Sequence, residues 1–410
     1  MEYIRKFETT IDYNTDKCSL TKDIMSYNDE TKSCIFAKAS YFKCTYNITN
    51  IDIETVLIKN ISNIIEMRID GENVTISSAY TFNSIGLHVV EFVIEKCTTL
   101  SNNPSFNGIS TLVEIHFPEN VKRINDSSFI NCTSLKKVEF GNKSQITNWG
   151  CKPFTGCTSL EEITLPISLN LNICGDSGSS FKGCTSLKKI TIPKNSKMTV
   201  MNKYLFSGVT SIEEIDIQDG VSINLNNCFN DLSNLKKICI GDSVKGGVES
   251  IYRRNLESVI VNKNNTKYDS RNNCNAIIET ANNRLVLGSK NAIIPNSVEI
   301  IASRAFSLIN NLTYIEIPDS VKTIENYAFE RGDYLTGVTI GSGVTTIGDS
   351  AFYKQQKLSY IKIYAPTAPI LGEYVFTQCK SSSTLYYPKG SDYSTWKSAS
   401  VLSGWTFKEF

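Results

Sequence analysis

The chain has 410 residues, with 42 Lys+Arg against 41 Asp+Glu, a formal charge of +1, two histidines and 41% apolar residues. This balance excludes a generally basic surface for nucleic acid, lies well outside the disordered range, and leaves little room for histidine-based chemistry. No run approaches the 18 apolar residues of a membrane-spanning helix, and Met1-Glu2-Tyr3-Ile4-Arg5-Lys6-Phe7 holds no apolar stretch of a cleavable signal peptide.

Residues 1–44 are polar, with scattered aromatics and no period, and read as an N-terminal arm or an extension of a cap. Residues 45–95 also lack a period. There Met67-Arg68-Ile69 and Asn73-Val74-Thr75-Ile76 flank the turn pair Asp70-Gly71, and Tyr80-Thr81-Phe82 and the run from His88 to Ile94 add strand candidates. A small β-module closing the N-terminal end of the core is expected.

From residue 96 to 388 the sequence repeats itself. Phe recurs at 106, 129, 154, 181, 206 and 229, and again at 306, 329, 352 and 376, mostly 23–25 residues apart. Six residues after each of the first nine stands Leu or Ile, opening the pattern L-x-x-I-x-I, as in Leu160-Glu161-Glu162-Ile163-Thr164-Leu165. Alternation at the end of this motif is strand-like, and a turn carries each Phe inward. A single coil cannot bury its own apolar face, whereas stacked coils share a continuous core. The fold class expected is a β-rich solenoid, a leucine-rich-repeat-like right-handed stack of coils about 23 residues long with a parallel sheet.

Residues 262–294 break the period. Ala276-Ile277-Ile278-Glu279 and Arg284-Leu285-Val286-Leu287, on either side of Ala281-Asn282-Asn283, read as an inserted β-hairpin. In residues 389–410 the repeat is lost, and Tyr393, Trp396, Trp405 and Phe407 are expected to fold back as a C-terminal cap, since a terminal coil needs a cover to stay soluble.

Three segments carry a family resemblance: Ile317-Pro318-Asp319-Ser320-Val321-Lys322-Thr323-Ile324 with Ala328-Phe329, Pro295-Asn296-Ser297-Val298 with Ala305-Phe306, and Cys184-Thr185-Ser186-Leu187. Over about residues 96–388 the chain resembles the BspA-like leucine-rich repeats of bacterial surface proteins, those of gut Bacteroidales especially. The resemblance implies a general binding scaffold displayed on a cell surface, and it includes a hairpin insertion of the kind seen at 262–294.

Chemistry-bearing residues mostly have structural readings. Cys132, Cys157, Cys184 and Cys379 each stand three residues after a repeat Phe, where Ile109, Val209, Leu232 and Ile309 stand in other coils, so they read as buried free thiols. Cys18, Cys34 and Cys44 lie outside the repeat and are the candidates for other roles. Gly175-Asp176-Ser177-Gly178 matches a protease nucleophile segment, but nothing around it supports a Ser-His-Asp set, and it reads as a turn. His116, inside a repeat strand, reads as an outward-facing surface residue. No catalytic, metal or cofactor site is expected.

Charge along the strands is the most informative pattern. At the two positions after the opening aliphatic, successive coils carry Val113-Glu114, Lys136-Lys137, Glu161-Glu162, Lys188-Lys189, Glu213-Glu214 and Lys236-Lys237. In a parallel stack these positions lie side by side, so alternation places opposite charges together and neutralises the face. After the insertion the same positions read Thr313-Tyr314, Thr336-Gly337 and Ser359-Tyr360, with Tyr364 just past the last strand. An uncharged patch bearing tyrosines suits contact with a protein or a glycan. Tyr314, Tyr360 and Tyr364 are the expected ligand-binding residues.

The function expected is a non-enzymatic adhesion or recognition module binding a protein or glycan on a cell or host surface. The alternative is a structural or receptor-binding component of a phage virion, a fibre or decoration protein, because such proteins need no export signal. Nucleic acid and membrane insertion are not expected, and self-association or virion assembly is left open.

Overall fold

The computed structural model describes residues 40–410 except 60, 62–63, 95–98, 101–104, 170–178, 200, 202–204, 227 and 230–231; ahead of residue 40 it describes three short strands, Tyr3–Arg5, Ile24–Asn28 and Ser33–Ala37, paired antiparallel in that order. Residues 1–187 and 188–410 form two compact units.

In the first unit, six strands make one sheet: β1 (Ser40–Ile48), β2 (Ile64–Ile69), β3 (Glu72–Val74), β4 (Gly86–Ile94), β5 (Leu112–Phe117) and β6 (Lys137–Phe140), in the order β6-β5-β1-β4-β2-β3. The predicted Asp70-Gly71 turn joins β2 to β3, with φ of 51° and 91°, the left-handed pair that a tight hairpin demands. Asp70 also holds the turn to β4: its carboxylate accepts the Val89 N–H at 2.8 Å and meets His88 Nδ1 at 2.6 Å. At β5 the sheet changes character. β5 pairs antiparallel with β1 on one side and parallel with β6 on the other, so the module caps the edge of the first coil. β1 starts at Ser40, so this sheet takes residues from both sides of the expected boundary at 44/45.

Beyond β5 the unit is built of coils. Phe106, Phe129, Phe154 and Phe181 stack face to face, with ring centroids 5.2, 5.3 and 5.5 Å apart. Identical rings at an identical repeat position form a column because each coil places its Phe directly over the previous one.

The second unit starts with four parallel strands, β7 (Lys189–Ile192), β8 (Glu214–Ile217), β9 (Lys237–Ile240) and β10 (Ser258–Val261). Next come β11 (Tyr268–Asp269), β12 (Ile277–Glu279) and β13 (Arg284–Leu287); β12 and β13 pair antiparallel as a hairpin. Downstream, strands of two rows alternate along the chain: β14 (Ile300–Ile301), β15 (Tyr314–Ile317), β16 (Thr323–Ile324), β17 (Gly337–Ile340), β18 (Thr346–Ile347), β19 (Tyr360–Ile363), β20 (Ile370–Leu371), β21 (Thr384–Tyr387) and β22 (Thr406–Glu409). The short strands continue from the hairpin as β11-β12-β13-β14-β16-β18-β20, and the long ones form a separate sheet, β15-β17-β19-β21-β22.

The insertion explains why the long-strand sheet stops at β10 and restarts at β15. Its side chains take up groups that a following strand would use: Ser289 Oγ and Asn291 Nδ2 both donate to the Glu257 carbonyl at 3.2 Å, and the Val261 N–H donates to Ser270 Oγ at 3.1 Å. A strand edge satisfied by side chains has little left to offer another strand.

Each repeat Phe is at most 2% exposed. In the second unit, Phe306, Phe329, Phe352 and Phe376 form a second column at 5.0, 5.0 and 5.6 Å. Trp405 and Trp396 cover its end, 5.2 and 5.9 Å from Phe376. Their polar handles are satisfied inside: Trp396 Nε1 donates to the Pro369 carbonyl at 2.8 Å, and the Tyr393 hydroxyl to that of Ala365 at 2.9 Å. This is the expected C-terminal cap, except that Phe407 sits in strand β22, in register with Leu385.

Candidate functional site

Strand alternation decides which side chains reach solvent. In the long-strand sheet the inward rows are Ile and Val in β15, β17 and β19 and Leu385 and Tyr387 in β21, and two outward rows remain: Tyr314, Gly337, Tyr360, Thr384 and Thr406, and beside them Glu316, Thr339, Lys362, Tyr386 and Lys408. In β7–β10 the first outward row reads Lys189, Glu214, Lys237 and Ser258. Here the charge ladder closes on itself: Glu214 Oε1 lies 3.0 Å from Lys189 Nζ and 3.4 Å from Lys237 Nζ, and Lys236 Nζ lies 2.8 Å from Glu213 Oε2. Burial alone would raise the Glu214 carboxyl, but the two lysines hold it below its ordinary range; Lys236 does the same for Glu213. Lys189, Glu213, Glu214, Lys236 and Lys237 thus have their charges spent on one another.

The tyrosine face is open. A cleft of about 910 Å³ runs along it, with Tyr314 and Tyr364 in its wall together with Glu316, Asp319, Thr339 and Lys362. The Tyr314 hydroxyl donates to Thr339 Oγ1 at 3.0 Å, which fixes that ring against the next strand. Lys362 Nζ lies 4.9 Å from the Tyr364 ring centre and 4.5 Å from that of Phe410, and those two rings meet edge to face at 5.2 Å. Asp319 accepts from the Ser342 N–H and hydroxyl at 2.6 and 2.9 Å, and these bonds hold its carboxyl below the ordinary range. Glu316 has no ion-pair partner among the described residues. The wall therefore presents hydroxyls, carboxylates and one ammonium between two aromatic faces.

Of the three predicted contact residues, Tyr314 and Tyr364 share the cleft, 45% and 40% exposed, while Tyr360 stands outside its wall on the same face. Glu316 and Lys362 were not singled out from the sequence. They occupy the outward position just before the last aliphatic of L-x-x-I-x-I, and reading that column across the coils would have found them.

Other singled-out residues have structural roles. Cys132, Cys157 and Cys184 are buried, and each thiol donates to the carbonyl of the repeat Phe one coil earlier, at 2.9, 3.1 and 3.1 Å. Cys379 repeats this onto Phe352 at 3.0 Å. Burial pushes the Cys132, Cys184 and Cys379 thiols up to about 12. These cysteines are thus hydrogen-bond donors as well as small apolar fillers. One expectation changes: Cys44, a candidate for another role, is a free buried thiol like those of the repeat. His116 pairs across strands, Nδ1 to Glu139 Oε2 at 2.5 Å. Cys18 and Gly175-Asp176-Ser177-Gly178 lie outside the described residues. Among the described residues no cluster of three or more His, Cys, Asp or Glu is placed to hold a metal, and no helix is long and apolar enough to cross a membrane.

Coils of about 23 residues that give strands to parallel sheets and stack their Phe rings in columns within each unit define a leucine-rich-repeat solenoid. The family model of the BspA type leucine rich repeat region matches residues 75–177, 177–277 and 287–396, and the chain belongs to that family. Among solved structures it is similar to a leucine rich cell surface protein of Faecalibacterium prausnitzii (22% identity, TM-score 0.42, spanning 73% of this chain and 85% of that one). It is also similar to the pneumococcal vaccine antigen PcpA (19% identity, TM-score 0.39, 72% and 79%) and to a leucine-rich repeat protein of Bacteroides ovatus (15% identity, TM-score 0.32, 97% and 91%). No curated protein matches the chain.

Proposed function

We propose that this chain is a non-enzymatic recognition module that binds a protein or glycan on a cell or host surface through the face bearing Tyr314, Tyr360 and Tyr364. One contrast carries the reading. Strands β7, β8 and β9, before the insertion, pair their charges with one another, whereas those after it expose tyrosines beside an open cleft with an unpaired carboxylate. Tyrosine gives rigid contact area with a polar tip, and the polar wall offers the hydrogen bonds that orient a hydroxyl-rich or peptide ligand. Family membership supports a binding role, since such repeats are scaffolds rather than catalysts.

The test is a binding screen of the full chain against immobilised glycans and extracted surface proteins, repeated with Tyr314→Ala and Tyr360→Ala. The expected result is a binder whose affinity falls about tenfold or more in each variant while the melting temperature is kept. Undiminished binding by both variants removes the tyrosine face from the reading, and turnover of any bound compound removes the non-enzymatic assignment.

A further inference from the structure

A second cleft, of about 510 Å³, lies in the same unit and shares no wall residue with the first. The insertion builds it: Lys267, Glu279 and Arg284 face Lys245 and Glu249 from the preceding coil and Arg304 from the following one. Cations outnumber carboxylates in its wall. Some are committed. Arg284 donates to Glu325 through Nη2 at 2.8 Å and Nε at 3.1 Å, and its Nη1 lies 3.5 Å from Glu279. Lys267 Nζ donates to the Lys245 carbonyl at 2.8 Å and sits 5.1 Å from the Tyr268 ring centre.

Three wall cations have no ion-pair partner among the described residues: Lys267, whose ammonium is taken up by the Lys245 carbonyl, and Lys245 and Arg304, the latter with its guanidinium carbon 4.6 Å from the Tyr327 ring centre. Behind them Arg253 donates to the main-chain carbonyls of Arg304 and Glu249, so it ties the two walls together with a charge that no carboxylate caps directly. Burial, and then the neighbouring Arg304 charge, push Arg253 down to about 10, with Glu249 the one acid opposing this. A neutral ligand would leave this surplus uncompensated, while an oxyanion would meet it with charge-assisted hydrogen bonds.

We propose that the insertion cleft is a binding site for an oxyanion, a sulfate, phosphate or carboxylate group, with Lys245 and Arg304 as its principal ligands. The site stands independently of the tyrosine face. Calorimetry of the full chain with inorganic sulfate, at constant ionic strength set with chloride, should give saturable one-site binding. Lys245→Gln and Arg304→Gln should each weaken it about tenfold, Lys245→Arg should retain it, and Tyr314→Ala should leave it unchanged. A sulfated disaccharide that binds more tightly than inorganic sulfate and than its desulfated form would identify a glycan as the bearer; equal affinities for the two sulfates would identify the free anion. Absence of saturable binding, or unchanged binding in a folded Lys245→Gln/Arg304→Gln double variant, overturns the assignment.

Discussion

The ring of Tyr360 lies directly on the backbone of Gly337: a Cβ at residue 337 would sit 2.4 Å from Tyr360 Cζ. Gly337 is the strand neighbour of Tyr360 and also of Tyr314, so the missing side chain is a notch between two tyrosines in one outward row. The ring fills it, with Tyr386 edge-on at 6.5 Å on its other side. The notch thus lets the Tyr360 ring lie down on the strand face, beside the cleft wall.

Gly337→Ala should therefore expel the Tyr360 ring toward solvent without unfolding the coil. Alanine in a strand interior is favoured over glycine by about 0.5–1 kcal/mol, which offsets the lost ring contact. The melting temperature should change little, while the Tyr360 ring resonances move toward random-coil values. A large drop in stability would mean that the ring cannot leave.

Glu214→Lys should destabilise the second unit through its neighbours. It would place three ammonium groups in adjacent strands about 4.8 Å apart, where Glu214 now bridges Lys189 and Lys237. Because the row is solvent-exposed, the deficit in urea midpoint should shrink as salt is raised from about 0.01 to 1 M, over which the screening length falls from about 30 to 3 Å. A deficit independent of salt would point to lost packing instead.

Acid should loosen the attachment of the hairpin to the stack. The double hydrogen bond from Arg284 holds Glu325 below its ordinary range against the opposing effect of burial, and the Ser303 N–H adds a third bond at 2.8 Å. The folded state binds this proton more weakly than the unfolded chain, so the contribution is full above the ordinary carboxylate pKa of about 4.3 and disappears as pH falls through the lowered value. Urea midpoints measured from about pH 7 down to pH 3 should fall less steeply for Glu325→Gln than for the parent chain, from a lower starting point.

The repeat made the Phe columns, the charge ladder and the tyrosine face legible from sequence, because each depends on the same position recurring in adjacent coils. The clefts were harder. The insertion cleft brings Arg304 to Lys245 and Lys267 across the break in the period, and its wall exists only once the hairpin has folded between two coils. The cysteine column was half legible: burial follows from the aliphatic residues at the same position, but the S–H donation to the previous Phe carbonyl depends on a backbone group that the sequence does not display.

That column also holds an anomaly. Gln355 takes the position used by Cys132, Cys157, Cys184 and Cys379, is fully buried, and donates through Nε2 to the Phe329 carbonyl, as a thiol does elsewhere. Its Oε1 has no partner among the described residues. The longer side chain fits because the preceding coil has Gly332 there; a Cβ at 332 would lie 2.7 Å from Gln355 Oε1. Gln355→Cys should keep the donor and remove the orphaned acceptor, whose burial costs about 1–3 kcal/mol, for a net gain reduced by the small cavity left behind. Gly332→Cys alone should destabilise the chain by overpacking, by about 1–3 kcal/mol, and should be tolerated in the Gln355→Cys background. Equilibrium denaturation of the four chains forms a double-mutant cycle, with an expected coupling of about 1 kcal/mol or more. Additive effects would show that glycine and glutamine at these positions are unrelated, and that the buried amide is tolerated for some other reason than the room Gly332 leaves it.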